Sequence, residues 1–342
     1  MMPTEGDTRV MKQRRKRDGS RRRYGAAVVT AALLLTAALV AGCSSGTTTD
    51  APQAQTVTIA HKFGETQVPA DPKRVVTVGW TDQDFVLPFG VVPVSTREFF
   101  TEYDNYPWVK SDTDGKGVTT WGADTIDFEA IAAQKPDLIF AIYETVDKET
   151  YDRLSQIAPT VIQSGDYADE ETPWDVQLLT TGKALGKQEE AEKLVAEVRA
   201  KITDARAAHP EFDGKTLVVD FGPESGGHYL LPAKDPRRAL FTALGFKTQD
   251  VHGDVSEERL DLLDRDVLFV NGATQAQMLA SPAFARLGVV RDGRTLYTTF
   301  ESNLSGALTY SGPQALLYAL DVLTPQLANA LAGRPVADLA NA

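Results

Sequence analysis

Two α/β lobes, each with a mostly parallel central sheet flanked by helices and joined by one long rigid α-helix, are predicted by three features of the 342-residue sequence. Residues 127–141 read as a capped helix followed by a short strand, and the same phrase returns at residues 256–270. Residues 187–208 carry Ala191, Leu194, Val195, Val198, Ile202 and Ala205 along one helical stripe, with Lys and Glu on the other face. Strands alternate with helices on both sides of that segment, the pattern of parallel sheets.

The repeat keeps its register. In the first copy Asp127 caps, Glu129 lies in the first turn, Ile131 opens an apolar face and Pro136 ends the helix. Leu138, Ile139 and Phe140 then form a continuously apolar run suited to a buried parallel strand. Ser256, Glu258, Leu260, Asp266 and Phe269 stand 129 residues after Asp127, Glu129, Ile131, Asp137 and Phe140. Helix-then-strand is common in α/β proteins, but a register held over so many positions indicates two similarly built lobes.

In chain order, residues 57–61 alternate as a strand, and Gly64 turns the chain into a hairpin through Val68. Residues 74–79 read as a parallel strand, 80–84 as a loop entering a short helix that ends near Gly90, and 91–94 as the next strand. Residues 95–125 are irregular and rich in aromatics. After the pivotal helix and strand, 151–157 is a helix, 160–163 a strand and 174–185 a helix stopped by Gly186. The long helix spans about 33 Å at 1.5 Å per residue, enough to bridge two lobes. Beyond it, 216–220 and 295–299 are strands and 237–244 a helix. Residues 313–323 form a closing helix, with 325–332 a short continuation past a break at Pro325.

The N-terminus is of a different kind. Basic residues at 14–17 and 21–23 precede an uncharged apolar run at 26–41, too short for a membrane span and suited to a signal peptide. The run ends in Val40-Ala41-Gly42-Cys43, and Cys43 is the one cysteine in the chain. That segment resembles a bacterial lipobox, in which the cysteine is acylated and anchors the protein to the outer face of a membrane. Export by the general secretory route or, on the weak Ser20-Arg21-Arg22-Arg23 resemblance, the twin-arginine route fits a chain without disulfides. The expected divisions are a signal peptide (1–42), a Ser/Thr/Pro-rich tether (43–56), an N-terminal lobe (57–186), a bridging helix (187–209) and a C-terminal lobe (210–342).

Nine of the 35 Lys and Arg and three of the 47 Asp and Glu lie in the first 42 residues, so residues 43–342 carry 26 bases against 44 acids. A net charge of −18 repels nucleic acid and anionic lipid and suits a partner with a basic face.

The lipobox, the run from Arg74 to Val94 (Arg-Val-Val-Thr-Val-Gly-Trp-Thr-Asp-Gln-Asp, then Gly-Val-Val-Pro-Val), and the phrase from Phe128 to Phe140 with Lys135-Pro136-Asp137 together resemble the substrate-binding lipoproteins of ABC importers. The resemblance covers nearly all of residues 57–330 and is to the class whose lobes are linked by a long helix. Within it, residues 79–84 look most like actinobacterial iron–siderophore binders. It implies a monomeric, non-enzymatic receptor with no resident cofactor or metal, which hands a ferric siderophore to a permease and its ATPase subunit. Members dock through one surface carboxylate per lobe, each meeting an arginine cluster, and Glu129 and Glu258 hold the matching positions. Without the resemblance, a first-turn glutamate only stabilises a helix N-terminus.

The ligand cleft is then expected between the lobes, at the C-terminal ends of the strands. Candidates from the first lobe are Trp80, Asp82, Gln83, Glu98, Phe99, Tyr103, Tyr106, Trp108, Trp121 and Tyr143. From the second they are His228, Tyr229, His252, Phe300, Glu301 and Tyr310. Rings among polar residues suit the organic shell of a chelate, although any one aromatic is more often core. Arg97, Arg237 and Arg238 are the expected cations among the acids of these loops, a balance that favours a neutral or cationic hydroxamate over an anionic catecholate.

Haem or cobalamin is an alternative ligand for the same fold. A direct zinc or manganese binder would need clustered ligands, and His61, His209, His228 and His252 form no close pair. A serine hydrolase is the alternative from another class. Its motif would be Gly222-Pro223-Glu224-Ser225-Gly226 beside His228, which is not a Gly-x-Ser-x-Gly elbow. No phosphate-binding Gly-x-x-x-x-Gly-Lys motif occurs, so any ATPase is a separate subunit.

Overall fold

A computed structural model of the protein describes residues 56–222 and 227–342. The basic and apolar N-terminal segments, Cys43, the tether up to residue 55, and Glu224 with Ser225 lie outside the described residues.

The first half opens with an antiparallel hairpin of β1 (Thr56–His61) and β2 (Gly64–Pro69). Next come β3 (Val75–Thr77), β4 (Thr96–Arg97), β5 (Thr120–Gly122), β6 (Leu138–Ala141) and β7 (Thr160–Ile162). A parallel sheet runs β3-β6-β7, while β4 and β5 form a small parallel ladder tied to it through a bridge from Ser95 to Val76. Every residue of β3, β6 and β7 is buried, including Thr77 and Thr160, whose hydroxyls donate to Thr96 Oγ1 at 2.6 Å and Ala158 O at 2.9 Å. The strand expected at residues 91–94 forms instead at Thr96–Arg97. Pro93 has no N–H for a ladder, so regular pairing starts beyond it.

The second half holds β8 (Leu217–Asp220), β9 (Gly227–Leu230), β10 (Gly253–Ser256), β11 (Val267–Asn271) and β12 (Thr295–Thr298). The sheet order is β10-β9-β8-β11-β12, parallel from β8 to β12 and antiparallel around β9.

The repeat extends into the pairing. Val75 pairs with Leu138 in the first sheet and Leu217 with Val267 in the second, and 267 again lies 129 beyond 138. Asp137 accepts the backbone N–H groups of Lys73 and Arg74 at 2.8 Å, and Asp266 accepts that of Thr216 at 2.8 Å. Each aspartate therefore fixes the chain as it enters the neighbouring strand. The preceding helices differ. Phe128–Ala133 is α-helical, and Asp127 Oδ1 accepts from Glu129 N at 3.1 Å and Ala130 N at 2.9 Å. Glu257–Leu262 is a 3-10 turn with Arg259 out of helical geometry, and Ser256 makes no side-chain cap bond. The expected second α-helix is corrected to that looser turn.

The helix Gln188–Ala208 passes between the two halves. Ala191 and Val195 are buried with Phe85, Phe89, Leu138 and Leu178, whereas Val198 is buried with Phe212, Val219, Phe241 and Phe269. The closing helix Pro313–Leu331 is continuous through Pro325, so no break occurs there. Pro325 and Asp321, whose carbonyl loses its partner, are both exposed, while Leu323, Leu327 and Ala328 hold the helix down.

The halves also meet through a buried aromatic cluster. Tyr103 and Tyr310 lie 4.5 Å apart and Tyr106 stacks on Trp108 at 4.8 Å, all within the core that contains Leu304 and Leu316. Asp84 sits beneath them. Its Oδ1 accepts from Trp108 Nε1 at 2.8 Å and Tyr103 Oη at 3.1 Å, and its Oδ2 accepts from Gly312 N at 3.0 Å. Gly312 is the N-cap of the closing helix, so a carboxylate from the first half sits at the positive end of a helix from the second.

Candidate functional site

A cavity of about 400 Å³ is lined from both halves. Trp80, Phe99 and Tyr143 follow the C-terminal ends of β3, β4 and β6, and Asp169, Glu170 and Glu171 follow β7. Pro232, Lys234, Asp235, Pro236 and Arg237, in the segment after β9, form the opposite wall with Thr309. Larger grooves of 820 and 610 Å³ are lined by second-half residues alone. The smaller cavity is the one at the carboxyl ends of parallel strands, where α/β folds place their ligands.

Asp82 builds its first wall. Oδ2 accepts from Gly79 N at 3.1 Å and Ile142 N at 2.9 Å, and Oδ1 accepts from Tyr143 N at 3.0 Å and Gln177 Nε2 at 2.9 Å. Trp80 N donates to the Tyr143 carbonyl at 3.0 Å, so the loops after β3 and β6 are stitched together. Burial lifts the Asp82 carboxyl to about 6 against the pull of those N–H groups. The Arg97 guanidinium lies 3.5 Å from the Trp80 ring centre, on the ring's face, and is ion-paired to Glu144. Burial raises Glu144 even so, with Arg97 acting in the opposite sense. Arg97 is thus a buried backing for the indole and not a cation facing a ligand, as expected earlier.

Across the cavity, Arg237 Nε and Nη2 donate to Asp235 at 2.9 and 2.6 Å, and its guanidinium packs 4.7 Å from the Phe221 ring. Phe221 in turn meets Phe300 at 5.7 Å. Burial, then the charge of Asp235, raises the Tyr143 phenol, which stays protonated and able to donate. Arg238 is wholly buried, bonding to Leu217 O at 3.0 Å and Gln249 at 3.3 Å, and burial lowers it to about 10. It is not on the cavity wall.

Of the expected contacts, Trp80, Phe99 and Tyr143 line this cavity. The others lie elsewhere. Asp82, Gln83, Tyr103, Tyr106, Trp108 and Tyr310 are buried behind it, corrected from ligand contacts to supports because they have almost no surface to offer. Trp121 is buried too, its Nε1 donating to Thr77 O at 2.8 Å. Glu98 belongs to a separate 70 Å³ pocket with Thr120 and Tyr310. Tyr229, His252 and Glu301 are exposed outside the wall, and Phe300 is half-buried against Phe221. His228 is buried, with Nδ1 2.7 Å from Asp220 Oδ2 and Nε2 3.4 Å from Glu257 Oε1. Lys234, Asp235 and residues 169–171 were missed, although their place just after strand ends was the available signal.

Glu129 and Glu258 are both exposed. Among the described residues, no group of three His, Cys, Asp or Glu is placed to hold a metal ion, and no helix is long and apolar enough to cross a membrane.

A profile of the family described as periplasmic binding protein matches residues 100–301. The iron(3+)-hydroxamate-binding protein FhuD of Bacillus subtilis is 32% identical over 292 residues, covering 78% of this chain and 89% of that protein. The Fe(3+)-citrate-binding protein YfmC of the same organism is 28% identical over 270 residues, covering 75% and 83%. A periplasmic solute binding protein of Mycobacterium smegmatis superposes with a TM-score of 0.74 at 34% identity, covering 81% of this chain and 99% of that one. PiaA of Streptococcus pneumoniae in complex with ferrichrome superposes with a TM-score of 0.68 at 25% identity, covering 81% and 99%.

Proposed function

This chain belongs to the periplasmic binding protein family, and from that premise we propose that it is an extracytoplasmic lipoprotein that captures a ferric siderophore and delivers it to an ABC permease. The observation that carries the reading is the cavity lined from both halves by Trp80, Phe99 and Tyr143 on one side and Arg237 with Asp235 on the other. Flat rings cover the organic shell of a chelate, while the Tyr143 phenol and the polar wall supply the few oriented hydrogen bonds that such sites need. Four carboxylates against two cations on the wall favour a neutral or cationic ferric hydroxamate. The relatives named for iron(3+)-hydroxamate and ferrichrome support that class.

In this reading residues 57–186 and 210–342 are the two lobes, 187–209 is the strut, and acylated Cys43 tethers a monomer to the outer face of the membrane through residues 43–56. The family is one of binding proteins, and the chain releases its ligand unchanged. Glu129 and Glu258 meet basic patches on the permease.

Calorimetric titration with a neutral ferrichrome-type chelate is expected to give saturable single-site binding. Trp80→Ala is expected to weaken it about tenfold to a hundredfold, as for loss of a central aromatic anchor. Tight binding of a ferric triscatecholate in preference to hydroxamates would overturn the ligand class. Absence of binding by any ferric chelate, with ester hydrolysis in its place, would overturn the receptor.

A further inference from the structure

The two proposed docking carboxylates stand on unlike supports. Glu129 rides on an α-helix whose first amides, including its own, are held by Asp127. Glu258 rides on a 3-10 turn that contains a non-helical residue and has no side-chain cap from Ser256. Beside it, Glu257 reaches inward to the buried ring of His228 at 3.4 Å and accepts from Ser281 Oγ at 3.3 Å. His228 lies on β9 opposite Val255 of β10, the strand that runs directly into the turn. Its other nitrogen is bonded to Asp220, the last residue of β8, at 2.7 Å. Phe221 comes next in the chain and packs on Arg237 of the cavity wall.

We propose that His228 is a positioning residue for permease docking: bridging Asp220 and Glu257, it holds the turn that presents Glu258 in the place of the missing helix cap. The inference rests on the docking role of Glu258. An imidazolium between two carboxylates can anchor both, whereas a neutral ring can donate to only one. Asp220 and Glu257 are the charged groups facing the ring among the described residues, and the element on its flat side contributes the uncharged Phe284. Burial alone would lower His228, but the bonds and charges of Asp220 and Glu257 outweigh it and raise the ring above 6.5. The anchoring is therefore present just below the ring's elevated pKa and is lost as pH rises through it; burial raises the Asp220 carboxyl too, so the contact to Asp220 also weakens in acid.

Amide exchange provides an internal reference. Leu263 N donates to Leu260 O at 3.0 Å and Gln134 N donates to Ile131 O at 3.1 Å, at equivalent positions of the repeat. Glu257→Gln is the first variant, because that side chain is 48% exposed and its change does not threaten the core. Below pH 6.5 we expect Leu263 to exchange about tenfold faster relative to Gln134 than in wild type, as for loss of one charge-assisted contact. Far above that pH the wild type is expected to match the variant. His228→Gln is expected to loosen the same turn. Both variants should bind the chelate as wild type does and lose several-fold in cellular iron uptake. An unchanged ratio of Leu263 to Gln134 exchange in Glu257→Gln, or equal loosening of both amides, would overturn the positioning role. Normal uptake in Glu258→Ala would instead overturn the docking reading, leaving the exchange result to decide the role of His228.

Discussion

Glu129→Ala combined with Glu258→Ala is expected to abolish ferric chelate uptake by cells while leaving chelate affinity unchanged. Both carboxylates are exposed and neither lines the 400 Å³ cavity, so their removal should not reach the bound ligand. Two charges are a small part of the net −18 carried by residues 43–342. Long-range steering alone would therefore be weakened only slightly by the double change. Loss of a charge pair that dried on the proposed docking would be different, because each uncompensated cation left in the permease would cost about 2–5 kcal/mol. Glu197→Ala with Asp204→Ala, two exposed acids on the long helix, is the control with the same change in charge. Its uptake should stay near that of wild type. Equal transport by the two double variants would mean that bulk charge, and not placement, is what the permease senses.

Asp84→Ala is expected to be the most damaging single change to stability. It leaves Trp108 Nε1, Tyr103 Oη and Gly312 N without their acceptor in a dry interior. Each orphaned donor costs about 1–3 kcal/mol, and shared relaxation keeps the sum near 3–5 kcal/mol. For a chain of this size the melting temperature should fall by about 10 °C. The pH dependence has a definite sign. Burial lifts the Asp84 carboxyl from 3.8 to about 7, against its three donors. The folded protein therefore keeps a proton that the unfolded chain gives up in between, and Asp84 contributes most below about pH 4. That contribution is lost as pH rises through 7, so the gap in melting temperature between wild type and variant should narrow over the same window. A gap that widens toward neutral pH would show that the ionised carboxylate is the preferred buried form.

Much of the architecture could be read from residue pattern because it depends on what both faces of a strand touch. The runs at Val75–Thr77, Leu138–Ala141 and Val267–Asn271 are apolar apart from the closing Thr77 and Asn271, the pattern of a sheet covered on both sides. The antiparallel strands Gly227–Leu230 and Gly253–Ser256 are not evident in the sequence because they mix Gly, His, Tyr, Asp and Ser, and their pairing is visible only in three dimensions. The site was harder for a related reason. An aromatic in an irregular segment packs equally well on a chelate or on another lobe, and composition does not distinguish them. Trp80, Phe99 and Tyr143 reached the cavity, whereas Tyr103, Tyr106, Trp108 and Tyr310 became the seam between halves. Arg97 was misread because its partner Glu144 lies 47 residues away and across a sheet.

The helix Gln188–Ala208 has each end sunk in a different apolar interior. A wide swing of the halves about this rod would drag Val195 or Val198 into water, at a cost of about 1.5–3 kcal/mol for each side chain. The rod therefore resists a wide opening of the halves. Under the proposed receptor role, the work of prising a ligand loose would fall to the permease.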